Sequence, residues 1–343
     1  MTSNKSPRAT RIQRSFFLFR VLLAKLIGLP PRYFSKRWQT AYEHWNMAML
    51  WVYIRSLGTQ LYIDQPCTYK PISKKPLTEA NSRFALSEEE VAAFHERGYT
   101  GPHRLISEEE MDQFRTKLEA RLEKKSKTYG FKTNRDRHLD SHDVLDLFAH
   151  PAIVEKLTQL LGPDLLIWRS QVFNQEAGAK PISMHQASTY MFEDFTHPIL
   201  IPPNRDELFQ LTIWIAVDDA NLENGCMQFI PGSHKNINLV KRGGKGTFYN
   251  FSFELQHDYQ QEDYIPVPVK PGEFIIFSER TIHGNPGNRS DQRRMGINYR
   301  VVTPATYIYK GKRRHHAAQM QETYDLKKWR PVLLSGQDRF GRN

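Results

Sequence analysis

Apolar residues recur at helical spacing in the first half of the chain and at strand spacing in the second. "LSEEEVAAFHERGYT" (86–100) places Val91 and Phe94 on one face and stops at Gly98, which predicts a helix with a glycine terminus. "SEEEMDQFRTKLEARLEKK" (107–125) repeats the pattern, with Ser107 and Glu110 at capping-box spacing. "HPAIVEKLTQLLG" predicts a third helix closing at Gly162. Upstream, residues 38–62 read as one aromatic-rich helical stretch, and residues 64–79 as a proline-containing linker.

Beyond Gly162 the period shortens to runs rich in β-branched and aromatic residues, among them "DLLIWRSQVFNQ", "LFQLTIWIAVDDA", "GEFIIFSERTIH" and "MGINYRVVTP". Turn signals such as Pro231-Gly232 and Pro271-Gly272 separate them. Helices followed by many short strands predict an α+β chain built on a β-sandwich or barrel, with the jelly roll (double-stranded β-helix) a natural candidate. The expected division is a helical N-terminal arm over 1–62, a linker over 63–84 and a catalytic jelly-roll domain over 85–343.

Charge changes this picture only at one end. The formal net charge is +11, yet residues 1–42 hold nine of the 48 Lys and Arg and no acid. The remaining 39 basic residues face 37 acidic ones, so the body is close to neutral and no nucleic-acid partner is expected. Within the arm, "SFFLFRVLLAKLIGLPP" is apolar but interrupted by Arg20 and Lys25, too short for a membrane span. Three readings of residues 11–29 stay open: a helix packed on the core, a helix on a membrane surface or docking partner, and an organellar transit segment. The two cysteines, Cys67 and Cys226, form no paired motif, so a reducing, cytoplasmic setting is expected, with the arm peripheral to a membrane in the second reading.

Two of the thirteen histidines stand out. His185 follows a predicted strand and His283 closes another. Arg294 and Arg300 lie an even number of positions apart on the next strand, so both face the same side of the sheet. A buried arginine needs an anion, and the carboxylate of a small molecule would serve. Between the histidines, Gly225, Pro231 and Gly232 shape the loop "ENGCMQFIPGSHK".

Those segments, with "LLGPDLLIW", "HQA" and "HGNPGNRSDQRR", resemble the phytanoyl-CoA dioxygenase superfamily of iron(II)/2-oxoglutarate enzymes over about residues 85–310. The resemblance implies a jelly roll in which His185 and His283 ligate iron, Arg294 clamps the far carboxylate of 2-oxoglutarate, and Trp214 contacts the co-substrate. Hydroxylating members add an aspartate two positions after the first histidine, completing a two-histidine, one-carboxylate triad. Here that position is Ala187.

The "HQA" pattern is similar to the halogenase branch of this superfamily, in which a small residue leaves room for chloride on the iron. The implied reaction is radical chlorination of an unactivated carbon, with O2 as co-substrate and Arg300 near the halide pocket. Two other readings compete. Glu193 or Asp194 restores a hydroxylase as substitute third ligand, or the site is a metal-free binding module. The substrate is a small molecule, free or tethered to an acidic carrier protein that the arm or "KGKRRHH" (310–316) would dock. Residues 190–207 are the expected lid.

Overall fold

The computed structural model describes residues 11–62, 64–80, 82–187, 198–242, 253–317 and 322–343. Ten strands build two facing antiparallel sheets: β1 Tyr99–Arg104, β2 Leu165–Gln175, β3 Ile182–His185, β4 Gln210–Ala216, β5 Met227–Phe229, β6 Ile265–Val267, β7 Glu273–Phe277, β8 His283–Asn285, β9 Arg294–Val302 and β10 Val332–Ser335. The larger sheet runs β10-β2-β9-β4-β7-β1 and the smaller β6-β5-β8-β3. This is an α+β chain with a jelly-roll core.

Among the described residues seven α-helices accompany it: α1 Arg11–Leu26, α2 Lys36–His44, α3 Met47–Arg55, α4 Glu88–Arg97, α5 Glu108–Leu122, α6 His142–Phe148 and α7 Pro151–Leu161. Both α4 and α5 begin with reciprocal capping boxes, Ser87 with Glu90 and Ser107 with Glu110. Each cap satisfies orphan backbone donors and contributes about 1 kcal/mol. Gly98 ends α4 in the left-handed region, at φ 86°.

The strand β9 sorts its residues by period two. Met295, Ile297, Tyr299 and Val301 pack with the apolar faces of α4, α5 and α7 in the principal core. Tyr299 stacks on Phe148 with ring centroids 4.0 Å apart, and its hydroxyl donates to the Phe148 carbonyl at 3.0 Å. The alternate residues, Arg294, Gly296, Asn298 and Arg300, therefore point into the space between the sheets.

The helical stretch 38–62 is divided rather than continuous. It breaks at Trp45-Asn46, where the Asn46 side chain accepts from the Met49 amide at 3.0 Å and caps a new helix. Residues Gln60–Tyr62 then pair with Leu239, Val240 and Lys241 of the body. From α1, Leu18, Val21 and Leu22 share one core with Trp45, Met49 and Leu50 and with Ile230, Ile237 and Ile282 of the body. A fully buried side chain of this size contributes about 1.5–3 kcal/mol. One face of α1 is thus a structural face. The segment 64–80 is also tied down: the Tyr69 and Lys70 amides donate to the carbonyls of Lys235 and Asp206, and Arg205 pairs with Asp64 at 2.6 Å.

Candidate active site

Register brings the two histidines together. His185 ends β3 and His283 begins β8, and they are direct partners in the antiparallel ladder. Their rings lie 4.2 Å apart between centroids. The Nδ1 of His185 bonds the Ser183 carbonyl at 2.8 Å, and that of His283 bonds the Thr281 carbonyl at 2.7 Å. A carbonyl only accepts, so each Nδ1 carries the proton and each Nε2 presents a lone pair. Burial, with added repulsion from Arg300, lowers the His283 pKa to about 4. Burial, then the neighbouring His283 ring and the charge of Arg300, hold His185 well below its ordinary value. Both imidazoles are neutral at neutral pH, the form that ligates a metal.

Among the described residues no third His, Cys, Asp or Glu joins this pair in an arrangement that could hold a metal ion. Ala187 is buried against Phe209, Trp168 and Ile199, with no polar atom on its side chain. Its amide donates to the Glu279 carbonyl at 2.8 Å. Gln186, between the histidine and the alanine, fixes the segment through its side-chain amide, which donates to the carbonyls of Arg280 and Asn236 at 2.7 and 2.8 Å. A two-imidazole centre with an apolar third position fits an iron that takes its remaining ligands from small molecules.

Six positions apart on one strand, Arg294 and Arg300 are separated by about 20 Å. Arg294 is buried; it donates to the Gln175 side chain and, at 2.8 Å, to the Gly225 carbonyl. Its guanidinium lies 5.4 Å from the Trp214 ring centroid. Its Nε has no hydrogen-bond partner, and burial lowers its pKa to about 10. A buried cation with an unused donor fits a carboxylate from a bound co-substrate. Gly296 makes the Trp214 placement possible, since a Cβ there would fall 2.3 Å from the indole Cζ2. Arg300 is half-buried, directly opposite Arg169 and Thr212 in the ladder, and its charge reaches both histidines.

Two residues of this site, Glu279 and Gln175, had no reading from the sequence. Glu279 is 2% exposed, and its Oε2 has no hydrogen-bond partner. Burial raises its pKa to about 8, against the pull of Arg280 and Arg300. The charged Glu279-Arg280 pair interrupting an apolar strand just before a histidine was the available signal. Gln175, the partner of Arg294, carried none, because the contact spans 119 positions.

Of the other sequence candidates, Glu193, Asp194 and the first part of the expected lid lie outside the described residues. The rest of that segment contains Leu200–Ile201, paired with Tyr307–Ile308. The basic run 310–316 is not uniformly solvent-facing: His315 is buried and accepts from Arg169 at 2.9 Å. No described helix is long and apolar enough to cross a membrane.

Comparison with known proteins bears on this geometry. A profile of the phytanoyl-CoA dioxygenase (PhyH) family matches residues 94–296. Phytanoyl-CoA dioxygenase domain-containing protein 1 of Rattus norvegicus is 27% identical over 180 residues, 50% of this chain and 57% of that protein. Dioxygenase lolE1 of Epichloe uncinata is 29% identical over 152 residues, 44% of this chain and 52% of that protein. The chain thus spans about half the length of the curated relatives it matches. Among solved structures, CytC3 with Fe(II) and alpha-ketoglutarate superposes with a TM-score of 0.63 at 28% identity, over 76% of this chain and 93% of that one. EctD from S. alaskensis with bound Fe, at TM-score 0.54 and 16% identity over 71% of this chain and 86% of that one, shares the fold.

Proposed function

The chain belongs to the phytanoyl-CoA dioxygenase family of non-haem iron/2-oxoglutarate oxygenases, and from that premise we propose that it is a halogenase replacing an unactivated C–H hydrogen with chlorine. The observation that carries this reading is the buried apolar Ala187 beside two neutral histidines that no third protein ligand joins among the described residues. The Nε2 atoms of His185 and His283 would hold iron(II). Arg294, backed by Gln175 and flanked by Trp214, would orient 2-oxoglutarate through its far carboxylate. Bound there with 2-oxoglutarate and oxygen, iron would supply the oxidising chemistry that hydrogen-atom removal from the substrate needs. Ala187 leaves the space for a halide, and Arg300 supplies positive charge toward it.

The substrate is a small molecule, free or carrier-tethered, and its placement relative to the halide decides the product. The test is mass spectrometry of products from a substrate panel run first in chloride and then in bromide. A product mass that follows the halide supports the reading; an added oxygen under both conditions overturns it.

A second reading, the hydroxylase, draws support from Glu279, whose carboxyl is buried with no hydrogen bond at Oε2 and whose main-chain carbonyl accepts from the Ala187 amide. If Glu279 swings onto the metal, Glu279→Gln abolishes iron binding; on the halogenase reading it leaves iron binding intact.

A further inference from the structure

The helix α1 has two apolar faces, and the body of the protein uses one. Leu18 and Val21 are fully buried in the core shared with α3 and the jelly roll. On the other side Phe16, Phe19, Leu23 and Leu26, followed by Ile27, are 64, 43, 44, 55 and 72% exposed. Their spacing of 3, 4 and 3 positions, then 1, follows the helical period, so they form one continuous stripe from Phe16 to just past the end of the helix. A surface helix of an ordinary globular protein is polar on its outer side; this one is not.

The charge around the stripe selects its occupant. The first 42 residues hold nine Lys and Arg and no acid. Arg20 lies at the edge of the stripe with its guanidinium 4.8 Å from the Trp38 ring centroid and 5.9 Å from that of Phe16, and the exposed Arg32 follows the helix. A second copy of the chain would bring this arm against an equally basic one, at an electrostatic cost. An anionic lipid surface answers both features, because acyl chains accept Phe, Leu and Ile while headgroups pair with Arg and Lys.

We propose that the exposed face of α1 (Phe16, Phe19, Leu23, Leu26 and Ile27) lies in the interface of an anionic bilayer and makes this protein a peripheral membrane protein. The contact is independent of the halogenase reading, and so is its test.

The full chain is floated with vesicles of phosphatidylcholine alone or mixed with phosphatidylserine. Expected are flotation with the mixed vesicles, weaker flotation with the neutral ones, and weakening at about 1 M salt, where the screening length falls to about 3 Å. The triple variant Phe16→Ser, Phe19→Ser, Leu23→Ser removes exposed side chains only and should keep the wild-type Tm while losing at least about tenfold in vesicle partitioning. Arg20→Glu should lower the preference for phosphatidylserine and leave binding to neutral vesicles nearly unchanged. Failure of the wild-type chain to float with either vesicle would overturn the proposal. So would flotation of the triple variant equal to wild type, or light scattering showing that the triple variant breaks up a dimer.

Discussion

The two ends of β9 carry the same residue on the same face and use it differently. At one end Arg294 is enclosed, held by Gln175 and the Gly225 carbonyl, and stacked over Trp214. Its geometry is fixed before any ligand arrives. At the other end Arg300 is half-buried, and its charge falls on His185, His283 and Glu279 together. A guanidinium whose donors are already engaged by fixed acceptors has a preset geometry, whereas one standing among titratable groups acts on them as a source of local positive potential.

Substitutions can break this contrast or sharpen it. Arg294→Ala should do most: truncating a buried charged group that binds an anion costs about 2–5 kcal/mol, or roughly 30- to 4000-fold, and it should appear as a raised KM for 2-oxoglutarate with iron affinity little changed. If chloride dependence shifts as much as the 2-oxoglutarate dependence, the two ends are not separate. Gly296→Ala pushes a methyl into the Trp214 ring. An overpacking cost of about 1–3 kcal/mol is expected as a lower Tm, with a weaker 2-oxoglutarate interaction because the indole under Arg294 must move. Arg300→Ala should act at the other end, reducing halide affinity about tenfold, read from the chloride-dependent shift of the iron(II)/2-oxoglutarate absorption band, while the 2-oxoglutarate constant stays within about twofold.

The most diagnostic change, and the one that leaves both ends of β9 untouched, is Glu279→Gln. With a folded-state pKa of about 8 against an unfolded value of about 4.3, the native chain keeps a proton that the unfolded chain has released between those pH values. Wild-type stability attributable to Glu279 therefore falls as pH rises through that window and levels off above about pH 8. Glutamine removes this slope. Melting temperatures from pH 5 to pH 8 should converge at the acidic end and diverge in favour of Glu279→Gln at the alkaline end; parallel curves would mean that the carboxyl is already ionised in the native state.

Much of this was legible locally. Ser107, Glu110 and Gly98 mark helix ends by chemistry confined to one turn, and the even spacing of Arg294 and Arg300 gives a shared face whatever the rest of the fold does. Ala187 was legible for the same reason: its meaning depends on a histidine two positions away. The break at Trp45-Asn46 was missed because an aromatic, apolar run masks a capping asparagine that a neighbouring helix favours. Gln175 and Glu279 could not be placed by spacing, since the one acts through a 119-position contact with Arg294 and the other through a burial that only the folded chain creates.

By itself the sequence determined the α-then-β order, the inward face of β9, the missing carboxylate and the basic, acid-free arm, because these follow from backbone periodicity and side-chain identity. Only the tertiary structure decided that His185 opposes His283, that Arg294 is preset while Arg300 stands among titratable groups, and that α1 spends one apolar face on the core and leaves the other outside. Those outcomes depend on ladder register and solvent exclusion, which are set by residues far apart in the chain.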